Sequence, residues 1–256
     1  MLNKMKSAFG GKSKKLTLGI FLGIIVLLLS ACLLKVVAIS PQGEENSKAP
    51  DLEKIEFIHW KKGYGKPEWA KAPKPPSCYK FFSPKVKWVV PPPVSYIINP
   101  TNPQDLPERF ISKAVFDSAE TWDAAATSKE LMNGYTIDNT AVYGDQNYKN
   151  AVTFGNYPTE GVIAVTTTWY NPATKRIVEF DMMFDTDWTW GDATVDSSKM
   201  DLQNIATHEF GHSVGLADVY DSVCSEVTMY GYSDYGETEK RTLESPDIKG
   251  LLSLYP

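Results

Sequence analysis

The sequence predicts an α/β (α+β) domain with a twisted sheet and three helices over residues 88–256. Three observations predict it: strand-type apolar runs between turn signals, a helical apolar period after residue 108, and a second helical stretch that stops at a glycine. With 43% apolar and 22% charged residues in 256, the chain has material for a real core, and global disorder is excluded.

Trp88–Asn99 contains the alternating Val94-Ser95-Tyr96-Ile97-Ile98, which reads as a strand. Asp105-Leu106-Pro107-Glu108 has helix-start chemistry, with Asp105 as the expected cap. Phe110, Ile111, Ala114, Val115, Ala119 and Trp122 then recur at helical spacing to about Ala126. Asn150–Phe154, Val162–Tyr170 and Ile177–Phe184 read as strands, the last two joined by a turn at Asn171-Pro172-Ala173-Thr174. A second helix is expected from near Ser198 to Val214, with Gly215 as its left-handed stop. Asp247–Tyr255 reads as a final helix with Ile248, Leu251 and Leu252 on its apolar side.

Charge and proline divide the chain into three parts. Residues 1–40 hold six lysines and no acid, and Leu16–Leu34 is an uncharged, largely apolar run. This is an N-terminal signal peptide or membrane anchor that sends the rest of the chain out of the cytoplasm; a lipoprotein signal at Cys32 is a third form of it. Residues 41–87 read as a Pro/Lys-rich linker or short pro-segment, with Pro73-Lys74-Pro75-Pro76 favouring extended polyproline geometry. His59 falls in this part and reads as a solvated or lightly packed residue. Residues 108–256 carry 24 acidic and 10 basic groups, and the net charge of −5 argues against a nucleic-acid partner. In an oxidising compartment Cys78 and Cys224 read as a disulfide, with two free thiols as the alternative.

Chemistry concentrates in His208-Glu209-Phe210-Gly211-His212-Ser213-Val214-Gly215-Leu216-Ala217-Asp218. Histidines four apart share one helix face and reach one metal ion, while Glu209 flanks that face as a general base. Gly215 reverses the chain, so that Asp218 can bring back a third ligand, which a catalytic zinc needs.

This stretch resembles the extended zinc signature of the metzincin metallopeptidases, with aspartate in the last ligand position as in snapalysin-type members. Thr228-Met229-Tyr230 is similar to the Met-turn of that clan. Asn150–Gly155, Ile163–Thr166, Glu179–Asp185 and Asp247–Tyr255 resemble, in the same order, patches of the matrixin branch and its microbial relatives. The resemblance implies a zincin domain over 88–256 with a mostly parallel sheet, an active-site helix, a Met-turn at Met229 and a C-terminal helix. It implies one catalytic Zn²⁺ on His208, His212 and Asp218; Asp185 and Asp187 resemble an acidic pair that helps hold calcium, with a solvated acidic loop as the alternative reading. No second, structural zinc is expected, because Met183 stands where one of its histidines would fall. Cys78 lacks the neighbours of the matrixin cysteine switch, which ranks below the disulfide.

The expected activity is an extracellular, secreted or membrane-anchored zinc endopeptidase, with Glu209 as general base and acid toward a metal-activated water. The resemblance places the upper edge of the cleft at Val162–Thr168, so an extended peptide or protein substrate is expected to add there as a strand. Tyr230 or Tyr232 is a candidate to steady the oxyanion. One rival takes its third ligand from Glu226, Glu237 or Glu239. Another is a catalytically silent cell-surface binding module that retains the fold.

Overall fold

In the computed structural model, which describes residues 51–65, 77–91, 93–127 and 130–256, a seven-stranded sheet carries the three helices. Its long strands are β1 (Glu53–Lys61), β3 (Val94–Ile98), β4 (Met132–Ile137), β5 (Asn150–Gly155), β6 (Val162–Asn171) and β7 (Arg176–Asp185). Four strands have two residues each: β2 (Lys80–Phe81), β8 (Trp190–Gly191), β9 (Met200–Asp201) and β10 (Leu216–Ala217). A fifth short strand, β11 (Tyr232–Ser233), completes the large sheet, whose order is β11-β1-β6-β7-β5-β3-β4. β6 runs antiparallel to both of its neighbours, and the remaining pairs are parallel. The helices are α1 (Glu108–Ala125), α2 (Leu202–Ser213) and α3 (Ser245–Leu254).

Two helix starts differ from expectation. Asp105 does not cap α1; it has φ 53°, and the helix follows Pro107 with no side-chain cap, while Asn102 Oδ1 ties the preceding turn through the Gln104 and Leu106 amides. α2 begins at Leu202 rather than near Ser198, because Met200 and Asp201 pair with Trp190 and Gly191. Asp201 then caps the helix by accepting from the Asn204 amide at 2.8 Å, satisfying one of its free N–H groups. α2 lies between α1 and β6 and is buried almost throughout. Trp122 of α1 is fully buried and donates its indole N–H to the Thr207 carbonyl at 2.7 Å.

Residues 53–61 do not form a linker. They pair with β6 from Glu53↔Tyr170 to Trp60↔Val162, and Trp60 and Lys61 pair with β11. Strand alternation turns Phe57 and His59 inward and Lys54 and Glu56 outward, and Glu53, on the inward face, is exposed at the start of the strand. The polyproline run at 73–76 and the lysine-flanked apolar segment of residues 1–40 lie outside the described residues. Among the described residues no helix is long and apolar enough to cross a membrane.

Candidate metal centre

Helix periodicity places His208 and His212 on one face of α2, both fully buried. Each ring is oriented by a backbone carbonyl on its Nδ1: Thr228 O at 2.7 Å from His208 and Leu216 O at 2.8 Å from His212. A carbonyl only accepts, so Nδ1 carries the proton and the lone pair of a neutral ring sits on Nε2. Gly215, at φ +102°, turns the chain back where a Cβ would meet the Val86 carbonyl oxygen at 2.6 Å. Asp218 follows on the return.

The two Nε2 atoms are 3.2 Å apart, and Asp218 Oδ1 lies 3.0 and 3.4 Å from them. Four-coordinate zinc with bonds of about 2.0–2.1 Å sets neighbouring ligand atoms roughly 3.3 Å apart, so the spacing fits that ion. Neither oxygen of the buried Asp218 carboxylate has a hydrogen-bond partner of good geometry, which leaves it to a cation. Burial alone would raise the Asp218 pKa, but the charges of His212 and His208 hold it well below the usual carboxylate range. Burial lowers His208 to about 4; the same burial acts on His212, but Asp218 and Glu209 outweigh it and draw that ring upward.

Glu209 is fully buried beside this cluster, and burial pushes its carboxyl up to about 7. Thr166 Oγ1 donates to its Oε2 at 2.6 Å. His59 Nδ1 lies 3.2 Å from its Oε1, and His59 Nε2 lies 3.0 Å from Ser233 Oγ, which accepts from Lys240 Nζ at 2.6 Å. The reading of His59 as solvated is therefore corrected: it is fully buried, because β1 completes the sheet and carries it inward. Among the described residues two clusters have metal-holding geometry: His208, His212 and Asp218, and a second formed by His59, His208 and Glu209.

Met229 is fully buried under the helix, its Sδ so close to Gly211 that a Cβ there would meet it at 2.1 Å. The bend at Thr228 and Met229 is fastened by a residue that sequence reasoning left unassigned. Asp247, at the start of α3, accepts from the amides of Thr228 and Met229 at 2.9 and 3.2 Å and from Glu244 at 3.0 Å. Tyr220, also missed, stands beside Asp218, where burial and that carboxylate's charge push its phenol up. Its position two residues after Asp218 was the available signal.

The other expected residues fall elsewhere. Glu226 bonds Ser225, Glu237 bonds Lys62 and the Asp234 amide, and Glu239 takes the Thr238 amide. Asp185 Oδ1 accepts from the Asp187 amide and Asp187 Oδ1 from Asn156, and neither joins a metal-holding cluster with the histidines. Tyr232 lies in β11 with its ring against Tyr220 and Tyr230. Cys78 and Cys224 are joined as a disulfide.

Residues 87–256 match the family model described as matrixin. The chain belongs to the matrixin family. It is 29% identical over 164 residues to the neutrophil collagenase of Homo sapiens, covering 63% of this chain and 32% of that protein. It is 26% identical over 182 residues to the hatching enzyme of Paracentrotus lividus, covering 70% and 28% respectively. This matrixin chain therefore spans about a third of the length of these curated relatives. Membership makes it a member of a metalloprotease family whose metal is zinc, and the donor set around Asp218 is chemically suited to that ion.

Proposed function

We propose that this matrixin is an extracytoplasmic zinc-dependent endopeptidase in which His208, His212 and Asp218 hold the metal and Glu209 moves the proton. The observation that carries the reading is the convergence of Nε2, Nε2 and Oδ1 within 3.0–3.4 Å of one another, with a buried carboxylate on the adjoining residue. Zinc supplies a Lewis acid that polarises a peptide carbonyl and acidifies a water. Glu209 takes up a proton at its carboxylate and returns it to the leaving amine. A carboxyl raised to about 7 by burial both accepts and releases a proton near neutral pH. Thr166 fixes the carboxylate by holding Oε2.

Aspartate in the third place adds a negative charge that an imidazole would not bring, which lowers the Lewis acidity of the centre. Export is supported by the lysine-flanked apolar run of residues 16–34 and by the Cys78–Cys224 bond, which oxidising compartments preserve.

The test is casein hydrolysis by the zinc-loaded full chain and its Glu209→Ala variant. Loss of the proton carrier lowers the rate by about 10²–10⁴-fold. Hydrolysis that survives the substitution contradicts the assignment. Stoichiometric zinc with no hydrolysis by a chain whose cleft is open favours the silent binding module.

A further inference from the structure

The edge of β6 expected to receive a peptide strand is already paired with β1, in unbroken register from Glu53↔Tyr170 to His59↔Ala164 and past a bulge to Trp60↔Val162. We infer that β1 is an intramolecular stand-in for the extended peptide, a latch that must leave before substrate binds; this rests on the peptidase reading of the same cleft.

The fit is specific on the inward face. Alternate residues on a strand are about 6.7 Å apart, and residues four apart on a helix advance about 6 Å, so two inward side chains of β1 can meet two histidines of α2. Phe57 stacks on His212 with ring centroids 4.2 Å apart and planes at 9°. His59 lies 3.9 Å from the His208 ring, and its Nδ1 takes the Glu209 oxygen that Thr166 leaves open. The latch thus covers both metal-binding rings and engages the general base.

Its backbone is held on both sides, antiparallel to β6 and parallel to β11. Any extended chain offers the same N–H and C=O groups, so the slot between those strands recognises peptide without regard to sequence. Toward solvent, the Glu56 carboxylate accepts from the hydroxyls of Tyr157 at 2.8 Å, Tyr143 at 3.2 Å and Thr167 at 3.4 Å. Tyr170 donates to Glu53. Only Phe57 and His59 of the nine residues are buried, so the strand can peel away without opening the helical core. Cys78 is bonded to Cys224 and is not available as a thiolate, so what covers this metal centre is a strand bearing a histidine and not a cysteine switch.

A closed latch lowers the apparent peptide affinity by the fraction of molecules that are open. The experiment uses the zinc-loaded full chain as wild type, the double variant Phe57→Ser/His59→Ser, and Glu56→Ala. The probe is a fluorescein-labelled library of reduced-bond octapeptides, read by anisotropy, with hydrogen exchange of amides 53–61 measured in parallel. Removing both inward contacts tightens peptide binding by at least about tenfold, the equivalent of about 1.4 kcal/mol of latch stability. Glu56→Ala gives a smaller gain in the same direction, and in every chain the amides of 53–61 lose protection as peptide binds. Equal affinity in all three chains, with those amides still protected at saturation, overturns the latch and makes β1 a fixed wall. If the double variant does not fold, Glu56→Ala decides alone: tighter binding supports the latch and unchanged binding rejects it. Peptide binding with release of β1 but no casein hydrolysis leaves the latch standing and removes the peptidase reading.

Discussion

Helix α2 and strand β1 bring histidines to the same small space, and they are held there by opposite means. In α2 all residues but Gln203 are buried, the Trp122 indole grips the Thr207 carbonyl, and Met229 fills the space that Gly211 leaves empty. In β1 seven of nine residues are exposed or half-buried, and the strand is fixed by strand pairing and a few hydroxyl–carboxylate contacts. The difference teaches that a buried histidine need not be a permanent one. His208 and His212 cannot move without loss of the core, whereas His59 can leave with its strand.

Damage on the helix side should be the larger. Trp122→Ala removes the wedge between α1 and α2 and should lower stability by about 3–5 kcal/mol in urea unfolding, with zinc capacity lost as the fold is lost. Gly211→Ala drives a methyl into Met229 and Trp122 and should cost about 1–3 kcal/mol by the same measurement. Asp247→Asn weakens the grip on the Met-turn amides, and since Thr228 O orients His208, zinc affinity should fall by about 10-fold in a competitive chelator titration. On the strand side, Glu56→Ala should change global stability by no more than about 1 kcal/mol while speeding hydrogen exchange of β1. A global loss as large as that of Trp122→Ala would erase the contrast.

A separate effect is one of pH. Burial lowers Lys240 to about 8 from its ordinary 10.5, so between these values the unfolded chain binds more protons than the folded one. Its contribution to stability therefore rises with pH across that window and is lost as pH falls from 10.5 to 8. Subtracting the melting curve of Lys240→Met from that of the wild type should isolate this slope, and a flat difference would reject it.

What was legible in the sequence was local. The two histidines, Glu209, Gly215 and Asp218 fall within eleven residues, where helix geometry and one turn decide which side chains can meet. The strands β5, β6 and β7 were legible for the same reason, as runs of apolar residues bounded by turns. β1 was not. Its Glu53-Lys54-Ile55-Glu56 half is charged, and its place depends on pairing with residues about a hundred positions away. Only two of its side chains are buried, so the hydrophobic pattern that marks a core strand is too weak to separate it from its Pro/Lys-rich surroundings. Asp247 was hidden by type: an acidic residue at a helix start is common, and its second task, holding the Met-turn, is visible only once α3 and residues 228–229 are brought together. Asp105 misled because it stands two residues before the observed N-cap, Pro107, with φ 53°, and α1 starts without any side-chain cap.

The most direct measurement is the zinc content of the purified full chain as wild type, Asp218→Ala and His59→Ser. One zinc per chain in the wild type and in His59→Ser, with none in Asp218→Ala, is the result expected if α2 and its return loop hold the metal and β1 only covers it. Zinc retained by Asp218→Ala, or lost from His59→Ser, would contradict that division of roles.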